Sequence, residues 1–466
     1  MTEADAEAHV QGVCFKTGPP GRVGVELEWL VRDRHDPAAL VAGDRVTAAL
    51  AGLARRNAAI ADGELDPGEA AQAVLVNGLS SGARITLEPG GQLELSSPPA
   101  DNLGELVTIT QADLAIFRDA AADAGLELCG YGLDPLRLPP RLLDEPRYAA
   151  MEEFFGRGGR QWGRQMMCGT ASVQVCVDAG DDTGTQAGYR SRWQLLDRIG
   201  PILVSAFANS PLRNGRPTSW RSTRQQVWSN LDPSRTRAPE LNGDPRAAWA
   251  AYALDAEVMC IREPDSANWT APAGLTFRTW LREATAVRRP TIEDLDFHLS
   301  TLFPPVRPHG HLELRMIDAQ LGDGWIVPAA VVTALVEDPV AAGAAMDAAA
   351  PIWADSVTAD RDPWLRAARC GPADPELSRA SRLCFEAAWA ALDRAGAPVV
   401  VTKAVGDFIA RYVLQDRCPA DDQLEGISLC QTYGSGSPLS SSRRALVPRC
   451  SPPASTRRTW CGSTRR

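Results

Sequence analysis

The chain has 466 residues, 44% hydrophobic and 23% charged, enough for a sizeable core, and its formal net charge of −10 argues against general nucleic-acid binding. No apolar run reaches the roughly 18 residues of a membrane-crossing helix and no basic-then-apolar leader opens the sequence, so a cytoplasmic protein without a membrane partner is expected. The 11 Cys are irregularly spaced, with no CxxC pair and no Cys/His zinc pattern, and read as reduced thiols.

In chain order, residues 1–20 are expected to be a flexible N-terminus. Residues 23–31 alternate as a strand, with Val23, Val25, Leu27, Trp29 and Val31 on one face and Gly24, Glu26, Glu28 and Leu30 on the other. The stretch from Ala38 to Val76 reads as helical, with a break near Gly63–Pro67. Arg84-Ile-Thr-Leu-Glu88 and Gln92-Leu-Glu-Leu-Ser96 flank Pro89-Gly-Gly91 as a hairpin. Pairing Glu88 with Gln92 then sets Glu94 opposite Thr86, with Arg84, Thr86, Glu88, Gln92 and Glu94 on one face. Leu103 to Ala124 is a helix candidate, followed by a strand-like run from Leu126 to Tyr131.

Two further segments alternate in the same way. Val173, Val175 and Val177 oppose Ser172, Gln174 and Cys176, and Leu312, Leu314 and Met316 oppose His311, Glu313 and Arg315. Helical spacing recurs from Tyr189 to Ala208, and Ala-rich runs from Ala329 to Ala350 and Glu376 to Ala395 read as bundle helices, as does Val401 to Leu414. Between Asn209 and Arg237, six Arg accompany Trp220 and Trp228, which predicts an ordered loop presenting guanidinium groups to an anion. After about Glu425 the Ser/Arg/Pro-rich tail has no periodic apolar face, and disorder is expected.

One Glu on an amphipathic strand is ordinary; acids recurring in four distant strands are not. They predict one antiparallel sheet, packed on helices on its apolar side, with Glu26, Glu28, Glu88, Glu94, Gln174, Glu313 and Arg315 on its open side. Gathered carboxylates repel unless a counter-charge is present, and with hard oxygen donors that charge is Mg²⁺ or Mn²⁺. Lys16 and Lys403 are the only lysines, and no Gly-rich loop ends in Lys-Ser/Thr, so phosphate handling would fall to Arg and metal. A two-metal phosphohydrolase or a plain metal binder would share this acidic face. Cys176, on the same face, reads as filler.

Gly24-Val-Glu-Leu-Glu28, Glu88-Pro-Gly-Gly-Gln-Leu-Glu-Leu-Ser96, Thr170-Ala-Ser-Val-Gln-Val175, Asn209-Ser-Pro211, Ser219-Trp-Arg-Ser222 and Leu312-Glu-Leu-Arg315 together resemble glutamate–cysteine ligases. The resemblance is to the plant-like group, in particular its actinobacterial ergothioneine-pathway branch, and runs from about Gly21 to Asp422. It implies an α+β fold, a curved antiparallel sheet cradle backed by helices and related to the glutamine synthetase catalytic domain, as one domain over 21–422 with a tail over 423–466. It implies ATP-dependent joining of the glutamate γ-carboxylate to the cysteine amine through a γ-glutamyl phosphate. Another amine acceptor is the alternative within this chemistry. By motif, Glu26, Glu28, Glu88, Glu94 and Glu313 would hold two or three Mg²⁺, with Gln174 where other branches carry a His ligand. Arg315, with Glu313, would serve catalysis and steady the transferring phosphoryl group. Arg221 would grip the glutamate α-carboxylate, and Arg235 would contact substrate or nucleotide. Glutamate and cysteine are the expected partners, and a monomer is the expected state.

Overall fold

A computed structural model describes residues 1–18, 21–57, 65–157, 160–240, 243–283, 288–354 and 362–433. Its main sheet joins seven strands: β1 (Val23–Asp33), β2 (Arg84–Leu87), β3 (Leu93–Ser96), β4 (Leu126–Cys129), β5 (Ser172–Val177), β8 (Val306–Pro308) and β9 (Leu312–Asp318). The order is β2-β3-β1-β5-β9-β8, every pairing is antiparallel, and β4 pairs with the far end of β1. A separate two-stranded ribbon holds β6 (Leu212–Arg213) and β7 (Arg216–Pro217). The expected alternation holds: Val23, Val25, Leu27, Trp29 and Val31 are all buried. The hairpin closes as read, with the Glu88 amide donating to the Gln92 carbonyl at 2.9 Å and Thr86 opposite Glu94.

The β5–β9 pairing slips by one residue between Val173 and Val175. The slip matters because simple alternation from Glu313 and Arg315 would turn Ile317 toward the polar face. Instead Ile317 pairs with Val173 in the core, and Asp318 joins Ser172 on the polar side.

Helices Leu103–Asp123, Tyr189–Ala206 and Ile326–Glu337 pack on the apolar face of the sheet. The last is apolar all round and almost wholly buried, as such a helix must be. The Ala-rich stretch expected from Ala329 to Ala350 is two helices, Ile326–Glu337 and Pro339–Ala354, bent by 103°. Pro339 lacks an N–H and disfavours helical geometry at Asp338, which is extended and accepts from the Ala341 amide at 2.9 Å. Among the described residues no single helix is long and apolar enough to cross a membrane.

Three expectations need correction. The N-terminus is not a loose arm: Glu3–Cys14 is a helix with a Thr2/Asp5 capping box, and Ala6, Val10 and Cys14 are buried at four-residue spacing. The Arg-rich stretch is the β6–β7 ribbon and two short helices, Thr223–Ser229 and Pro233–Thr236. The chain stays helical from Pro419 to Tyr433, past the boundary expected at 422; the remainder of the tail lies outside the described residues.

The polar face is also less open than expected. Helices Pro146–Gly156, Arg160–Gly169 and Thr223–Ser229 carry a second apolar cluster, including Met151, Phe154, Met166, Met167 and Val227, with Trp228 and Phe303 against it. This cluster walls one side of the acidic floor.

Candidate active site

The sheet's polar face and the second apolar cluster enclose a cleft of about 340 Å³. Its floor holds Glu26, Glu28, Glu88, Glu94 and Gln174, brought from three strands and a turn. Glu28 lies opposite Glu94 across β1–β3, and Glu26 lies opposite Gln174 across β1–β5. The Glu26 and Glu88 carboxylates accept no hydrogen bond from any described residue, whereas that of Glu28 accepts from the Ser172 amide at 2.8 Å and the Gln174 amide group at 2.9 Å. Gln92 is a brace: its side-chain amide donates to the Met167 and Thr170 carbonyls and ties the hairpin to the wall.

These acids are partly accessible along the cleft yet enclosed by protein on most sides. Burial, reinforced by Glu313, pushes Glu26 up to about 7. Burial and then Glu28 push Glu88 up to about 7, and burial with Glu26, Glu88 and Glu28 lifts Glu94 well above the carboxylate range. The floor is an acidic surface short of positive charge. Cys176 sits beside it with its thiol raised well above normal by burial, then by Glu26 and Glu313, so it is no thiolate nucleophile.

Glu313 is different. It lies beneath the floor with its side chain 1% exposed, and both its oxygens are taken: Arg307 forks onto it at 2.6 and 3.0 Å, and Arg315 donates to Oε1. Burial raises its pKa, but Arg307 and Arg315 outweigh that and bring it down to about 2. Gln174 is equally committed, donating to Glu28 and accepting from Arg315. Glu313 and Gln174, expected among the metal ligands, are both bonded to arginine in this structure.

Among the described residues, the guanidinium groups that reach the cleft are Arg147, Arg224, Arg307 and Arg315. Arg315 was expected there. Arg221 and Arg235, the two expected to bind substrate or nucleotide, are elsewhere. Arg221 pairs with Asp421 at 2.8 Å beside the C-terminal helix, lining a separate hollow with Arg417 and Glu425. Arg235 is fully buried, bonded to Asp232, to Thr301 and to the Glu257 carbonyl, with its guanidinium over the Phe154 ring. It anchors the second apolar cluster.

Arg224, not Arg221, lines the cleft. Its side chain is 3% exposed, Nη2 donates to the Arg315 carbonyl at 2.8 Å, and Nε and Nη1 have no hydrogen-bond partner. What aims it is a knot around Asp318, which accepts from the Asn209 amide at 2.8 Å, the Ser210 hydroxyl at 2.7 Å and the Ser222 hydroxyl at 2.9 Å. Ser222 also caps helix Thr223–Ser229, and Gly132 leaves no room for a side chain, since a Cβ there would lie 2.4 Å from Asp318. Asn209-Ser-Pro and Ser219-Trp-Arg-Ser are thus scaffold motifs. Arg224 and Trp228, four residues apart on one helix face, leave an i,i+4 signal in the sequence beside the cluster of Arg, whereas Arg307 is brought opposite Glu313 only by the register of the β8–β9 hairpin.

Comparison with known proteins decides the relationship. Residues 22–421 match the model of glutamate-cysteine ligase family 2. The chain is 38% identical over 426 residues to "Glutamate--cysteine ligase EgtA" of Mycolicibacterium smegmatis, covering 90% of each chain. It is 30% identical over 257 residues to a chloroplastic glutamate–cysteine ligase of Medicago truncatula, covering 53% of this chain and 49% of that one. The chain belongs to glutamate–cysteine ligase family 2. It is a ligase, and its reaction is ATP-dependent. Among solved structures, a glutamate–cysteine ligase of Francisella tularensis in complex with AMP aligns at 12% identity with a TM-score of 0.49, covering 89% of this chain and 86% of that one.

The ligase's acidic floor fits a magnesium ion in donor type. Among the described residues no three acidic, imidazole or thiol side chains already converge on one point. Mg²⁺ needs no such cage, because it usually takes one or two carboxylates together with substrate phosphates and keeps several waters. Glu26, Glu88 and Glu94 supply hard oxygens whose ionised forms are disfavoured without a cation, which is the chemistry such an ion relieves.

Proposed function

We propose that the cleft joins the γ-carboxylate of L-glutamate to the amine of L-cysteine, forming γ-glutamylcysteine at the expense of ATP. The observation that carries this is the meeting of an uncompensated carboxylate floor with four guanidinium groups in one cleft. In this reading a γ-carboxylate oxygen bonds to the γ-phosphorus as ADP departs, and the amine then attacks the acyl carbon as phosphate leaves, shedding its proton. A magnesium ion held by the floor carboxylates would screen the negative charge of the reacting phosphate and carboxylate groups.

The chain's own groups divide the remaining work. Glu26, Glu28, Glu88 and Glu94 hold the cations. Arg315 and Arg307 face the transferring phosphoryl group, and Glu313 holds both in place from below. Arg224, whose side chain lines the cleft, receives the glutamate α-carboxylate in place of Arg221. Met151, Met166, Trp228 and Phe303 exclude water from an acyl phosphate that water would hydrolyse. The likeness to the EgtA relatives supports supply of γ-glutamylcysteine to ergothioneine synthesis as the physiological role.

One assay tests this: ADP release with ATP and Mg²⁺, adding glutamate and cysteine separately and together, with the product identified by mass. Full turnover only with both, yielding γ-glutamylcysteine, is expected. Faster ADP release with an amine other than cysteine would move the acceptor assignment, and phosphate release without any amine would replace ligation by hydrolysis.

A further inference from the structure

One corner of the cleft carries its own cations. Arg307 and Glu313 are directly opposed across the β8–β9 hairpin, between the Val306–Leu314 and Pro308–Leu312 pairs. The fork between them is bidentate, and Arg315 closes on the same carboxylate while also reaching Gln174. The Gln174 nitrogen is already used by Glu28. Glu313 is 1% exposed, Arg307 16% and Arg315 14%. A divalent ion binding here would have to break one arm of a buried charge-assisted fork and place a double positive charge beside two guanidinium groups. Both effects oppose it. On the other side of the floor, Glu88 and Glu94 have no such cation bonded to them.

We propose that Arg307 is the built-in counter-ion of Glu313, so that the Gln174–Glu313 pair takes no divalent cation and metal is confined to the part of the floor formed by Glu26, Glu28, Glu88 and Glu94. Arg307 and Arg315 then occupy, as fixed charges, the space a further ion would need. This rests on the metal-dependent reading given above, and the experiment separates the two.

The test is Mn²⁺ binding to the full-length protein, with and without a non-hydrolysable ATP analogue, read from the electron paramagnetic resonance of free Mn²⁺. Glu313→Gln should bind as many ions as the wild type. Arg307→Gln should bind one more, Arg307→Lys should not, and the extra ion should vanish in the Arg307→Gln/Glu313→Gln double variant. Loss of an ion from Glu313→Gln overturns the inference, as does a folded Arg307→Gln that gains none. If thermal melting shows that Arg307→Gln does not fold, Glu313→Gln decides alone. Glu94→Gln probes the parent reading: it should lose an ion, and if it keeps all of them while Arg307→Gln gains one, the acidic floor is not the metal site but the role of Arg307 stands.

Discussion

Asp318 at the end of β9 and Glu94 on β3 are both acids enclosed by protein on the polar side of one sheet, and they differ in what surrounds them. Asp318 receives three hydrogen bonds, and the Arg224 guanidinium lies 3.9 Å away. Glu94 has one long contact, from the Ser96 hydroxyl at 3.4 Å, and three neighbouring carboxylates. The first acid is satisfied by the fold and holds the 209–224 segment in place. The second is satisfied by nothing in the chain and is free to meet a ligand. Burial alone therefore does not mark a functional acid; burial without internal compensation does.

Removing each acid should break this contrast in opposite directions. Asp318→Ala leaves the Asn209 amide and two hydroxyls without their acceptor and Arg224 without its counter-charge, and should lower unfolding stability by roughly 3–5 kcal/mol, the range for removing one partner of a buried charged pair. Denaturant midpoints would measure it, and a loss below about 1 kcal/mol, that of a single ordinary hydrogen bond, would show that the knot is not structural. Glu94→Gln should leave the midpoint unchanged or higher, because an amide relieves carboxylate repulsion. ADP release should nonetheless fall by roughly two orders of magnitude, the scale seen when one preorganised electrostatic element is deleted. Wild-type turnover with wild-type magnesium dependence would remove Glu94 from the site.

The same contrast explains what could be read from the chain beforehand. Period-2 alternation and the Pro-Gly-Gly turn made β1, β5, β9 and the hairpin legible, down to Thr86 facing Glu94. The cleft acids followed, because strand parity fixes a face locally. Arg221 against Arg224 was not decidable this way: they are three residues apart, and which one turns inward depends on Asp318, about 95 residues further along. The state of Glu313 was hidden likewise, since Arg307 reaches it through hairpin register rather than through the Leu-Glu-Leu-Arg motif itself. The N-terminal helix had a signal, Thr2 with Asp5 and apolar residues at 6, 10 and 14, that went unused.

A smaller effect sharpens the arginine assignment. Arg224→Lys replaces a fork by a point charge and should raise KM for glutamate roughly 10- to 100-fold, equivalent to one charged hydrogen bond of about 1.5–3 kcal/mol. Arg221→Lys, remote from the cleft and paired with Asp421, should leave KM for glutamate close to wild type. Steady-state kinetics with glutamate varied would reverse the assignment if the two responses were exchanged.

The smallest expected effect reads the uncompensated acids without turnover. Glu26 and Glu88 ordinarily titrate near 4.5 and stand at about 7 in the folded chain. Between those values the folded state keeps protons that the unfolded state releases, so the stability they contribute falls as pH rises through about 7. Each group accounts for at most about 3 kcal/mol. A magnesium ion held by the ionised forms offsets that loss where it is fully developed. Mg²⁺ should therefore raise the melting temperature by a few degrees at pH 8, by mass action on the folded state, and by much less at pH 5, where the ion must displace protons. In Glu94→Gln the difference between the two pH values should shrink. Asp318 lies outside the cleft lining and should contribute nothing to it. Equal stabilisation at both pH values would mean that the ion binds some other group, and the distinction between internally satisfied and ligand-seeking acids would lose its thermodynamic basis.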